Sequence, residues 1–120
     1  TGYTPPLEAN VNLPGGKSYV DDVKAIKPDA DVTNQFLEGS YMGMSLFVEA
    51  LRKVGPDLTR ARLRDVLNSM TYTSDLSSPV SWTSSSRFAN TKAQGWLIQA
   101  PSSFNGFRDL RTGWLPDPGG

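Results

Sequence analysis

GSYMGMSLFVEALRKVGPDLTRARLRDVLNSM, residues 39–70, is the stretch that decides how this chain folds. Leu37, Tyr41, Met44, Val48 and Leu51 recur at helical spacing, and Met42, Leu46 and Phe47 widen the apolar face. The pattern predicts a largely buried helix from about Ser40 to Val54. Arg52 and Lys53 suit the negative C-terminal end of its dipole. Gly55-Pro56 is the usual stop, with glycine just past the last turn and proline behind it. Thr59 is a good N-cap for a second helix, Arg60 to about Met70, with a stripe of Leu63, Val66, Leu67 and Met70. Arg60, Arg62 and Arg64 oppose that helix's dipole, so they read as a solvated face; no glycine-rich loop precedes them to make an anion cradle.

Upstream, residues 1–17 read as loop, punctuated by Pro5-Pro6 and Pro14-Gly15-Gly16. Ser18, with Asp21 three residues on, caps a short helix carrying Tyr19, Val23 and Ile26 on one face, and Pro28 stops it. Downstream of Met70 the character turns to β. Short strands are expected at Pro79–Thr83 and Gln94–Ala100, with a last extended run from Phe107 through Leu110 that continues at Trp114-Leu115. Trp82 and Trp96 are expected to pack. The apolar helix is wider than two helices and three short strands can cover. That mismatch implies a larger fold around the chain, or self-association through the uncovered surface.

Composition narrows the chemistry. The chain has 120 residues, 12 basic and 12 acidic, and neither histidine nor cysteine. Zero net charge removes the electrostatic handle for nucleic acid. Triads built on histidine, cysteine nucleophiles, ordinary zinc sites and disulfides are excluded. Carboxylates are the acid/base resource that remains; Asp21 and Asp22 point apart on a helix, Glu38 and Glu49 lie too far along one to share a substrate, and all read as surface groups. Asp29-Ala30-Asp31 with Asn34 lacks the glycine and terminal glutamate of a calcium loop and reads as a turn. No apolar run approaches the ~20 residues of a membrane span. The chain starts at Thr1, without methionine, as a trimmed piece of something larger would.

Around Phe36, the segment Asn34-Gln35-Phe36-Leu37-Glu38-Gly39-Ser40-Tyr41 sets aromatic and polar groups at a helix N-terminus. Two readings stand. The free amides and positive dipole end suit a carboxylate or carbonyl ligand. Alternatively Phe36 and Tyr41 are core staples, and Gly39 eases the chain into the helix.

Several motifs, in order, resemble the closing third of type I periplasmic solute-binding proteins of the Leu/Ile/Val-binding family of ABC importers. They are Glu49-Ala50-Leu51 followed by Gly55, Asp57-Leu58-Thr59, Ser78-Pro79-Val80-Ser81-Trp82, and Trp96-Leu97-Ile98-Gln99. Tyr3 to Pro6, the Lys17–Lys27 helix and Pro28-Asp29-Ala30 also fit, so the resemblance covers about residues 1–100. It implies the C-terminal fragment of a two-lobe α/β fold, with parallel sheets flanked by helices, seen alone as helices followed by short strands. Residues 1–4 would be a crossing between lobes, 5–95 the C-terminal part of the first lobe, and 96–120 the return crossing and tail on the second. It implies a non-enzymatic, extracytoplasmic protein, periplasmic or lipid-anchored at the cell surface, without cofactor or metal. Its partners would be a small solute (an amino acid or relative), an ABC permease and the remaining N-terminal part of the same protein. Phe36 matches the family's cleft-lining aromatic before the long helix, with Leu37, Glu38 and Tyr41 nearby and Tyr3 at a crossing. Glu38 departs from the family's usual apolar or aromatic occupant and, if it faces the cleft, leaves a polar or cationic ligand open. A sensor of the same fold and an autonomous interaction domain are the alternatives.

Overall fold

The computed structural model describes residues 7–82 and, beyond them, the backbone of four short strands. Four helices come first: α1 (Leu7–Asn10), α2 (Pro14–Ile26), α3 (Gln35–Val54) and α4 (Arg60–Ser69). A hairpin of β1 (Thr71–Ser74) and β2 (Ser77–Ser81) follows. Then come β3 (Lys92–Ala93), β4 (Trp96–Ile98), β5 (Phe107–Asp109) and β6 (Leu115–Pro116). The α/β class, helices followed by short strands, is as expected. The described ladders are all antiparallel: β1 with β2, β3 with β6, and β4 with β5. For β1 and β2 this is forced, because a two-residue turn joins them and parallel neighbours need a long crossover.

The ends of α3 and α4 are built as their sequences dictate. Gly55 follows α3 at φ 74, a left-handed conformation that costs glycine little. Its amide donates to Leu51 O at 3.0 Å. Thr59 Oγ1 accepts from Arg62 N at 3.2 Å and opens α4. Arg62 then reaches back to Asp57 at 2.9 Å, Arg64 lies 3.7 Å from Asp65, and all three α4 arginines face solvent.

The starts differ from expectation. α2 begins at Pro14, so Pro-Gly-Gly is its first turn and Ser18 lies inside the helix instead of capping it. Proline suits a first helical position because its missing N–H has no partner there anyway. No side chain of α2's own N-cap, Leu13, caps it. Asp75, in the β1–β2 turn, accepts from Gly15 N at 2.8 Å and sets a carboxylate at the positive end of the α2 dipole. Buried Asn10 donates its side-chain amide to Asp75 O at 2.6 Å, and Ser74 Oγ accepts from Leu76 N at 3.0 Å. The hairpin turn thus locks onto the α1–α2 junction.

Leu76, beside Asp75, enters the core with Leu7 and Tyr19. Val11, Val20, Val23, Val32, Leu37 and Tyr41 pack around these three. α3 is less buried than its pattern implied: only Glu38, Leu46 and Ala50 are buried, while Met44 is 60% exposed and Phe47 and Val48 also face water. The described elements, α4 among them, cover one side of α3 alone.

Glycine substitutions test this packing. A Cβ on Gly16 would lie 2.1 Å from Asn10 O, whereas one on Gly43 would meet nothing within 4 Å. Gly16→Ala should cost about 2–3 kcal/mol in urea unfolding, as overpacking does. Gly43→Ala should be neutral or stabilising by up to ~1 kcal/mol, the helix-propensity difference. Asp75→Ala should cost about 1 kcal/mol, the usual worth of a cap, on the same measurement.

Candidate functional site

α3 starts where Asn34 caps it. Asn34 Oδ1 accepts from Phe36 N at 2.9 Å and Leu37 N at 3.4 Å, and Asn34 O accepts from Glu38 N at 3.0 Å. The amides that were open to a ligand on sequence grounds are therefore taken. What the helix start offers instead is the ring of Phe36, 87% exposed. A core staple would be covered, and within this chain the Phe36 ring is not. Gly39 lies inside α3 and does not precede it, so it does not ease the chain into the helix.

Successive helical residues point about 100° apart, so the expected site residues do not share one surface. Phe36 points to water. Leu37 packs half-buried against the core, on the same side as Tyr41, four residues on. Glu38 is turned fully inward, and its charge acts on Tyr19. It therefore does not face outward as a partner for a cationic ligand. Tyr3 lies outside the described residues.

Tyr41 ties α3 to the core and to α2. Its ring meets Tyr19 edge-on at 5.1 Å between centroids, with 64° between the planes. Its hydroxyl donates to Asp22 Oδ2 at 2.6 Å. Burial, with the Asp22 carboxylate second, pushes its pKa up to about 12. Tyr19 is fully buried, and burial raises its pKa too, helped by the charges of Glu38 and Asp31. Asp31 Oδ1 accepts from Thr33 N at 3.0 Å and Thr33 Oγ1 at 2.6 Å, which holds its carboxyl below the usual range. The Asp29–Asn34 stretch is thus a turn, as its sequence suggests, and it ends in the cap of α3.

Behind Tyr41, a shallow groove of about 550 Å³ runs between α3 and β1, lined by Asp22, Met44, Val48, Arg52 and Tyr72 among others. Its charges answer one another: Glu49 faces Lys53 at 3.5 Å and Arg52 at 4.0 Å, and Asp22 holds Tyr41. Asp22 and Tyr72 were not foreseen here. The alternation of Thr71-Tyr72-Thr73 is a strand signal that marks β1, but nothing local pairs Asp22 with a tyrosine 19 residues away.

The sequence profile of the family described as Periplasmic binding protein matches residues 1–103. No curated protein and no solved structure matches the chain.

The Tyr41 environment makes a pH prediction. Its folded pKa lies above the ordinary 10.0, so the folded state holds the proton more tightly than the unfolded one. Its contribution to stability is complete below pH 10 and is lost as pH rises toward about 12. Ultraviolet titration, in which buried Tyr19 also ionises late, should place the Tyr41 step well above 10.0. Asp22→Asn should move it down part of the way only, because burial is the larger cause.

Proposed function

The chain belongs to the periplasmic binding protein family, and from that membership we propose that it is part of an extracytoplasmic solute receptor serving an ABC importer. In this reading it captures a small organic solute, an amino acid or a close relative, between two lobes and catalyses nothing. Residues 5–95 form the end of the first lobe, with crossings at 1–4 and from 96 onward. Closure of the lobes around the solute presents one rigid surface to a membrane permease, a hinge motion of the usual kind.

The observation that carries the site is Phe36, a large apolar ring held at the capped start of a 20-residue helix and left open to water. An exposed aromatic ring can supply stacking and apolar contact to a flat or aliphatic solute. Tyr41 supports the same corner from the core side. Leu37 and Glu38 pack beneath it and shape it without reaching the solute. Tyr3, at the proposed crossing, is the other aromatic of the cleft.

The complete protein carrying this chain should be stabilised by at least one of the twenty amino acids or a small carboxylic acid in a thermal-shift screen. At a hundredfold excess over Kd the gain is about 2.7 kcal/mol. A screen in which no amino acid or small acid shifts the transition would sink the reading. Phe36→Ala should weaken that binding about tenfold, ~1.4 kcal/mol, with unliganded stability almost unchanged. A stability loss of about 3–5 kcal/mol would instead mark Phe36 as a core residue of the complete protein.

A further inference from the structure

The segment that delivers Phe36 is tied to α2 through three of its carbonyls. Lys24, in the last turn of α2, donates from Nζ to Pro28 O and to Ala30 O, both at 2.9 Å. Tyr19 donates its hydroxyl to Val32 O at 2.8 Å. The carbonyls of residues 28, 30 and 32 therefore all face α2. Asp31 then holds Thr33, Asn34 N donates to Asp31 O at 3.2 Å, and Asn34 caps Phe36 and Leu37. Hydrogen bonds thus tie the segment to α2 at residues 28, 30 and 32, and a second set within it leads from Asp31 through Asn34 to the amide of the exposed phenylalanine.

The two tethers differ in kind. Tyr19 is fully buried and shared with the core, so its loss would disturb everything. Lys24 is half-buried and absent from the core cluster. A lysine ammonium carries three donors on a flexible stem, enough to hold two carbonyls at once. It also lies at the helix end where a cation is favoured. From the geometry we infer that Lys24 is a positioning residue for solute binding: it holds the 27–34 segment so that Phe36 is presented in one place. This rests on Phe36 being a solute contact. Its effect on affinity comes through preorganisation, since a ring already in place has less freedom to lose on binding.

The experiment uses the complete protein labelled with para-fluorophenylalanine, with the Phe36 fluorine line assigned by its disappearance in Phe36→Leu. Lys24→Met keeps the aliphatic stem and removes the donors; Lys24→Arg keeps donors. Lys24→Met should shift and narrow the Phe36 line, and weaken the tightest binder among the twenty amino acids by roughly 5- to 10-fold. Both are measured well below the thermal transition, where each variant is folded. Lys24→Arg should restore most of both. An unmoved fluorine line with unchanged affinity overturns the assignment, as does an affinity loss that Lys24→Arg fails to rescue. If no amino acid binds the parent protein, the receptor reading fails, and the fluorine line alone decides whether Lys24 positions Phe36.

Discussion

Tyr19 is the side chain on which the described part of the molecule turns. A buried tyrosine brings a large apolar body and a hydroxyl that needs a partner. Its ring seats Leu7 and Leu76, from opposite ends of the described chain, and meets Tyr41 of α3 edge-on. Its hydroxyl claims Val32 O in the segment between α2 and α3. One residue therefore fixes how far α3 lies from α2, how α3 is rotated, and where the intervening segment runs. With Tyr41 turned inward by that contact, helical periodicity sends Phe36 outward.

The hairpin completes the arrangement from the other side. Asp75 serves as the missing cap of α2, and Leu76 closes the core beside Tyr19. A carboxylate from another element meets the helix dipole while its neighbour buries apolar surface, so capping and core closure come from one turn. The core this produces is small. Met44, Phe47 and Val48 stay at the surface of α3, and Ile26 and Leu58 are exposed as well. The width of the α3 stripe foretold that surplus, because the three other described helices and the short hairpin leave part of it uncovered.

Local signals were legible where they act locally. Gly55-Pro56 and Thr59 stop one helix and start the next through bonds within a few residues, and the sequence shows both. Phe36 stood out by its position before a long apolar helix. The starts of α2 and α3 were harder to read. Pro14-Gly15-Gly16 has the composition of a loop, and it becomes a helical turn with Asp75, 60 residues later, as its cap. Leu37, Glu38 and Tyr41 were grouped with Phe36 by proximity in the chain. Once α3 begins at Gln35, a rotation of about 100° per residue separates them onto different sides.

The sequence by itself determined the class of the protein, through ordered motifs and an over-apolar helix, and its lack of histidine and cysteine removed the chemistry those residues carry. Those properties depend on residue identity and spacing, which the chain carries wherever it is. Only the tertiary structure decided that Phe36 faces water while Glu38 is buried, and that Lys24 and Tyr19 grip the carbonyls of residues 28, 30 and 32. The physical reason is that every backbone carbonyl is the same acceptor in the sequence. Which of them a distant side chain reaches is settled by how the helices pack.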